Sequence, residues 1–244
     1  MRNIRLKIKF DGSRYCGWQI QKNGITVQQC INNAVSAITG ERINVIGCGR
    51  TDSGVHASCY FASFKTQSTI PAERIVYALN AHLPDDIVCT AAEDASDDFD
   101  ACRSAKKKRY TYRILNSGIS DPFLYPFVYL VKFPLNVEEM KKAANAFLGT
   151  HDFVGFASVG FTVKTTVRTI YSLDISKKGD LIEIDVTGDG FLYNMVRIIA
   201  GTLIAVGSGK IKSEDMERII ASCDRTQAGI TAPAKGLCLT EVIY

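Results

Sequence analysis

An acid and a base stand two residues apart in a stretch punctuated by glycine, Gly47-Cys48-Gly49-Arg50-Thr51-Asp52-Ser53-Gly54-Val55-His56-Ala57. Its glycines permit positive φ and close backbone approach, so the loop can fold tightly against a ligand and aim Arg50 and Asp52 into one space. Arg50 is near enough to pair with Asp52 and favour the ionised carboxylate. Residues 43–46 before it and 59–64 after it read as strands, which makes this a polar loop on a rigid scaffold, where catalytic groups tend to sit. Two phosphate-binding motifs are excluded. The third glycine position of the dinucleotide fingerprint holds Asp52 with no helical pattern after it, and no Gly-Lys-Ser/Thr follows at P-loop spacing. Local chemistry leaves open an ordinary hairpin loop with an exposed ion pair or a catalytic loop.

A second group of candidates lies in the middle of the chain. From Arg103 to Arg109 the residues Arg103, Lys106, Lys107, Lys108 and Arg109 are basic, and the run leads into Tyr110 and Tyr112. Cations beside aromatics suit a phosphate backbone with an unstacked base; a solvated strand entrance is the plainer reading. The preceding acidic run, Glu93, Asp94, Asp97, Asp98 and Asp100, lacks the tight ligand alternation and bending glycine of a cation loop and reads as a solvated turn.

Gly49-Arg50-Thr51-Asp52-Ser53-Gly54-Val55-His56-Ala57 resembles the signature loop of the tRNA pseudouridine synthase A family. Other segments agree in order and spacing: Phe10-Asp11-Gly12 with Tyr15-Cys16-Gly17-Trp18-Gln19, then Lys108-Arg109-Tyr110-Thr111-Tyr112-Arg113. Residues 188–197, ending Asn194-Met195-Val196-Arg197, are similar to the family's second long helix, and Ala232-Pro233-Ala234-Lys235-Gly236-Leu237 to its C-terminal loop. One departure stands out. Where the family reads Phe-x-Ala-Arg, this chain has Phe99-Asp100-Ala101-Cys102-Arg103; a one-residue shift along a strand reverses a side chain's face, so neither Cys102 nor Arg103 is assigned to the site.

The resemblance implies isomerisation of uridine to pseudouridine in the anticodon stem-loop of tRNA. The N1–C1′ bond breaks, the uracil turns, and a C5–C1′ bond forms. Glycosidases generally use two carboxylates; here the detached uracil is itself the incoming nucleophile, so one suffices. By resemblance that carboxylate is Asp52, acting by attack on C1′ or through a glycal-type intermediate. Arg50 is implied to assist it and to fill the gap left by a flipped base. Tyr110 is implied to contact the uracil and Leu237 to wall it, with Arg109 and Lys108 beside them. The reaction is redox-neutral, so no cofactor, nucleotide or metal is expected. A homodimer in the cytoplasm, recognising tRNA by shape, is the family's expected state.

Bulk properties are compatible. At 244 residues, 46% hydrophobic and 22% charged, the chain can bury a substantial core, and its net charge of +4 points only weakly to nucleic acid. The alternating first ten residues describe a half-buried strand and lack the apolar core of a signal peptide. The apolar stretch Met195 to Val206 is interrupted by Arg197, Gly201 and Thr202 and is too short for a membrane span. Eight irregularly spaced cysteines read as free thiols; with no Cys-x-x-Cys and with His56, His82 and His151 far apart, a zinc site is not expected.

Periodicity organises the first half as strand 4–10, a helix over 27–38 with a Thr26/Gln29 capping box, strands flanking the Asp52 loop, a helix from Pro71 stopping before Pro84, and a strand near 86–93. That is the split ferredoxin-like β-α-β-β-α-β order. In the second half Tyr110, Tyr112 and Ile114 share a strand face. A helix is predicted from Asn136, boxed by Glu139 and stopped by Gly149. A hairpin over 166–176 and 180–188 follows, then a helix after Gly190, a shorter one after Ser213 and a strand from Leu237 to Tyr244. The predicted class is α/β of the α+β type, with units 1–104 and 105–244. The resemblance implies that two ferredoxin-like units share a mixed, mostly antiparallel sheet, with helices on one side and a cleft between them. Two rivals remain: a non-catalytic RNA-binding protein that tolerates loss of Asp52, and a carboxylate hydrolase needing a second acid or a metal.

Overall fold

The computed structural model describes residues 1–160 and 163–244. Its strands are β1 (Arg2–Phe10), β2 (Ile46–Gly47), β3 (His56–Thr66), β4 (Ile87–Ala95), β5 (Lys107–Asn116), β6 (Tyr129–Val131), β7 (Gly149–Asp152), β8 (Val167–Lys178), β9 (Leu181–Gly188) and β10 (Leu237–Ile243). The helices are α1 (Val27–Thr39), α2 (Ala72–Asn80), α3 (Val137–Ala144), α4 (Met195–Gly207) and α5 (Met216–Ala221). Backbone contacts group Met1–Lys106 with Leu239–Tyr244 as one unit and Lys107–Cys238 as the other. The last six residues, read from sequence as the end of the second unit, thus cluster with the first.

In the first unit β1 pairs antiparallel with both β3 and β4, and β2 pairs with β3. The element order is the predicted β-α-β-β-α-β. Alternation buries Ile4, Leu6, Ile8 and Phe10 on one face of β1, where Ile31 and Val35 of α1 and Ile75 and Leu79 of α2 are buried as well. Thr26 caps α1 by accepting from the Gln29 amide, and Gly40 in the left-handed region ends it. The strand predicted at 43–46 shrinks to Ile46–Gly47, because side chains of α1 take the hydrogen bonds that a ladder would use. The Val45 amide donates to Asn32 Oδ1, and the Val45 carbonyl accepts from Gln28 Nε2. The acidic run is likewise consumed locally: Asp94 pairs with Arg2 and Glu93 with Arg5, both across β1–β4, while Asp100 accepts from the amides of Cys102 and Arg103. Cys102 and Arg103 therefore lie exposed in a turn rather than on a strand, and the alternation argument does not apply to them.

The second unit carries β5, β9, β8 and β7 as antiparallel neighbours in that order, with β6 parallel to β5. The hairpin turns at Gly179 as predicted. Strands β6 and β7 were not predicted, since three or four residues are too few for alternation to register. Two helix boundaries also differ. Asn136 caps α3 through the amides of Glu138 and Glu139, but the Glu139 carboxylate turns to Lys142 and Ser213, so the capping box does not close. The helix gives way at Ala144 to a short 3-10 turn, leaving Gly149 to open β7 instead. Residues 189–194 form a turn ahead of α4, with Asn194 left-handed (φ 62°) and its Oδ1 held by Arg197 at 2.6 Å. Helix α4 is buried nearly all round, as its apolar composition requires. No helix among the described residues is long and apolar enough to cross a membrane.

Candidate active site

The loop before β3 is a chain of close backbone contacts. The Cys48 amide donates to the Phe61 carbonyl at 2.8 Å, and the Tyr60 hydroxyl donates to the Gly49 carbonyl. Tyr60 in turn stacks on Trp18, ring centroids 4.2 Å apart. Beyond Arg50 the chain is gripped by segment 11–18. Trp18 donates its amide to the Thr51 carbonyl at 3.1 Å, and the Gly54 amide and Ser53 hydroxyl both donate to the Tyr15 carbonyl. The Val55 amide closes a turn onto the Asp52 carbonyl at 3.1 Å. Asp52 is thus tied through its neighbours on both sides.

This grip depends on two glycines. Gly17 has φ +79°, and a Cβ there would lie 2.3 Å from the Thr51 carbonyl oxygen. At Gly12 a Cβ would meet the Val55 carbonyl oxygen at 2.0 Å. Neither position admits a side chain without moving the loop. Below the turn, His56 is 4% exposed, and its Nδ1 lies 3.1 Å from the Gly12 amide and 3.0 Å from Asp11 Oδ1. A neutral ring accepts from Gly12 there; a protonated one donates to Asp11. Burial pushes the Asp11 pKa up, but hydrogen bonds from the Ser13 side chain and backbone, with His56 adding to them, hold it below its ordinary value.

Asp52 is half-buried and Arg50 is exposed. The expected ion pair between them is not made: among the described residues no salt bridge joins Arg50 to Asp52. Thr51 between them is buried, and its carbonyl is held by the Trp18 amide.

In the second unit, Tyr110 is 9% exposed and meets Phe191 edge-on, centroids 5.3 Å apart. Alternation along β5 puts Lys108, Tyr110 and Tyr112 on one face. Arg109, Thr111 and Arg113 stand on the other, where they bond Thr187, Asp185 and Glu183 of β9 in register. Arg109 was grouped with Tyr110 from sequence; the strand separates them. Lys107 lies over the Tyr171 ring at 4.4 Å.

Leu237 is 5% exposed and opens β10. The loop before it is set by Tyr112 and Arg197, neither of which the sequence marks as a partner of that loop. The Tyr112 hydroxyl donates to the Pro233 carbonyl at 2.8 Å, and Arg197 Nε donates to the Ala232 carbonyl at 2.8 Å. Burial raises the Tyr112 pKa, so that donor stays protonated. Arg197 was legible only as part of a motif. Of the predicted residues, then, Arg50 and Asp52 lie in the first unit, and Lys108, Arg109, Tyr110 and Leu237 in the second.

A tightly hydrogen-bonded, acid-bearing turn on a ferredoxin-like unit, followed by a tyrosine-bearing antiparallel unit, has a counterpart among known sequences. The profile described as tRNA pseudouridine synthase matches residues 7–103 and 143–244, and the chain belongs to that family. Similar proteins bear the name tRNA pseudouridine synthase A. That of Thermoanaerobacter sp. (strain X514) is 51% identical over 244 residues, covering 100% of both chains. Those of Acetivibrio thermocellus and Clostridium acetobutylicum are 49% and 48% identical, again over the full length of both.

Proposed function

We propose that this chain isomerises uridine to pseudouridine in the anticodon stem-loop of tRNA, with Asp52 as the catalytic carboxylate. The observation that carries the reading is the Asp52 turn, held on one side by the Trp18 amide and on the other by bonds that Ser53 and Gly54 donate to the Tyr15 carbonyl, within the segment that matches the family. A carboxylate so fixed can face C1′ of an extruded uridine without reorganising as the N1–C1′ bond breaks. Tyr110, its ring braced by Phe191, supplies a flat contact for the freed uracil, and its hydroxyl is suited to the C5 proton. Leu237 gives an apolar wall. Lys108, on the Tyr110 face, serves the neighbouring phosphate, whereas Arg109 works from the opposite face. Arg50, exposed and not paired with Asp52, is available to occupy the gap left by the flipped base.

The test is direct. Undermodified tRNA labelled at uridine C5 loses its label only if C5 becomes bonded to C1′. Label release at catalytic protein concentrations is the expected result; tRNA binding without release would favour the non-catalytic RNA-binding reading. We further place the enzyme in the cytoplasm as a homodimer. Exposed apolar residues of the second unit, Ile119 (81%), Phe123 (89%) and Tyr125 (54%), support an association surface. Light scattering on the intact chain at twice the monomer mass is expected, and a monomer would refute the dimer alone.

A further inference from the structure

Segment 11–18 grips the Asp52 turn, so whatever fixes that segment also fixes the carboxylate. Asp86, in the turn ahead of β4, holds the segment at three points. Its Oδ1 accepts from the Tyr15 hydroxyl, its Oδ2 from the Arg14 guanidinium at 2.7 Å, and its carbonyl from the Asp11 amide at 2.9 Å. Arg14 is largely exposed, and a screened surface pair contributes little. The charge-assisted bond to Tyr15, a residue only 5% exposed, is the stronger anchor. Burial, reinforced by Asp86, raises the Tyr15 pKa, so the hydroxyl remains a donor. Tyr15 passes the restraint on through its own carbonyl, which accepts from Ser53 Oγ at 3.2 Å and from the Gly54 amide at 3.3 Å. These are the two residues that follow Asp52.

We infer that Asp86 and Tyr15 are positioning residues for the reaction, forming a relay from the approach to β4, through the Tyr15 carbonyl, to the backbone that aims Asp52. The inference rests on Asp52 being the catalytic carboxylate. Its mechanism is geometric: Tyr15→Phe keeps the buried ring and removes only the bond to Asp86, letting segment 11–18 and the turn drift together.

The experiment measures single-turnover release of the C5 label, tRNA affinity and melting temperature for a set of variants. Tyr15→Phe and Asp86→Ala are each expected to slow release about tenfold or more, with affinity changed less than about twofold. The double variant should be no slower than the worse single one, because both break the same bond. Asp86→Asn, whose amide oxygen still accepts from Tyr15, should recover most of the rate lost in Asp86→Ala. Ser53→Ala, at an exposed position, should slow release about threefold and keeps the question answerable if Tyr15→Phe does not fold. Full-rate Tyr15→Phe, multiplying losses in the double variant, or losses that follow the unfolded fraction would each overturn the relay. Asp52→Asn run alongside separates the two claims: if it retains activity the catalytic reading fails, whereas an inactive Asp52→Asn beside a full-rate Tyr15→Phe removes the relay alone.

Discussion

Asp52 sits in a turn whose neighbours are each tied to another stretch of chain, whereas Tyr110 and Tyr112 stand on a ten-residue strand and owe their direction to alternation. The first arrangement needs glycines, buried aromatics and many specific bonds, and in return sets one carboxylate against its surroundings. The second needs only register with β9, and a residue one place along faces the other way, as Arg109 does. Precision in the loop comes from many local restraints, any of which can fail; precision on the strand is distributed and forgiving.

Substitutions that strike each arrangement sharpen this contrast. Gly17→Ala strikes the loop hardest, since it combines a positive φ with a clash against the Thr51 carbonyl. It is expected to cost about 3 kcal/mol, lowering Tm by roughly 6–12 °C, and to cut label release about a hundredfold. Gly40→Ala, at a similar φ of +72° but with nothing within 4 Å of the added Cβ, should cost about 1 kcal/mol and leave turnover alone. Equal effects at the two glycines would dissolve the claim that close approach, rather than backbone strain, matters at Gly17.

The basic run leading into β5 should act on binding and not on chemistry. Replacing Lys106, Lys107 and Lys108 with glutamine is expected to weaken tRNA affinity most at low salt and reduce the slope of log K against log salt by about 2. An unchanged slope moves the RNA path elsewhere. The smallest effect is reserved for Tyr112→Phe, which deletes the bond to the Pro233 carbonyl. About 1 kcal/mol, or a Tm lower by roughly 2–4 °C, is expected in thermal unfolding.

Legibility in the sequence follows the same division. Long alternating or helical stretches declared themselves: β1, β3, the β8–β9 hairpin, α1 and the first unit's order all match their predicted form. The misses lie where side chains compete with backbone for hydrogen bonds. Asn32 and Gln28 dissolve the strand at 43–45, and Glu139 prefers Lys142 and Ser213 to its own helix start. Asn194, left-handed and held by Arg197, delays α4. In the site, the glycine-punctuated loop was readable because its residue types are unusual for a plain hairpin. Tyr60 and Arg197 were not, because they act as donors to backbone carbonyls distant in sequence, and Asp86 was not, because its carboxylate accepts from Arg14 and Tyr15, 72 and 71 residues away; nothing in residue type or spacing marks such partners.

The central claim is that Asp52 does the chemistry and not the binding. Asp52→Asn, nearly isosteric, is the variant to measure, with C5 label release and tRNA affinity followed on the same preparation. Release slowed by about a thousandfold or more with affinity changed less than about twofold is the predicted result. Retained release at near the wild-type rate, or a collapse of affinity that accounts for the loss, would contradict it.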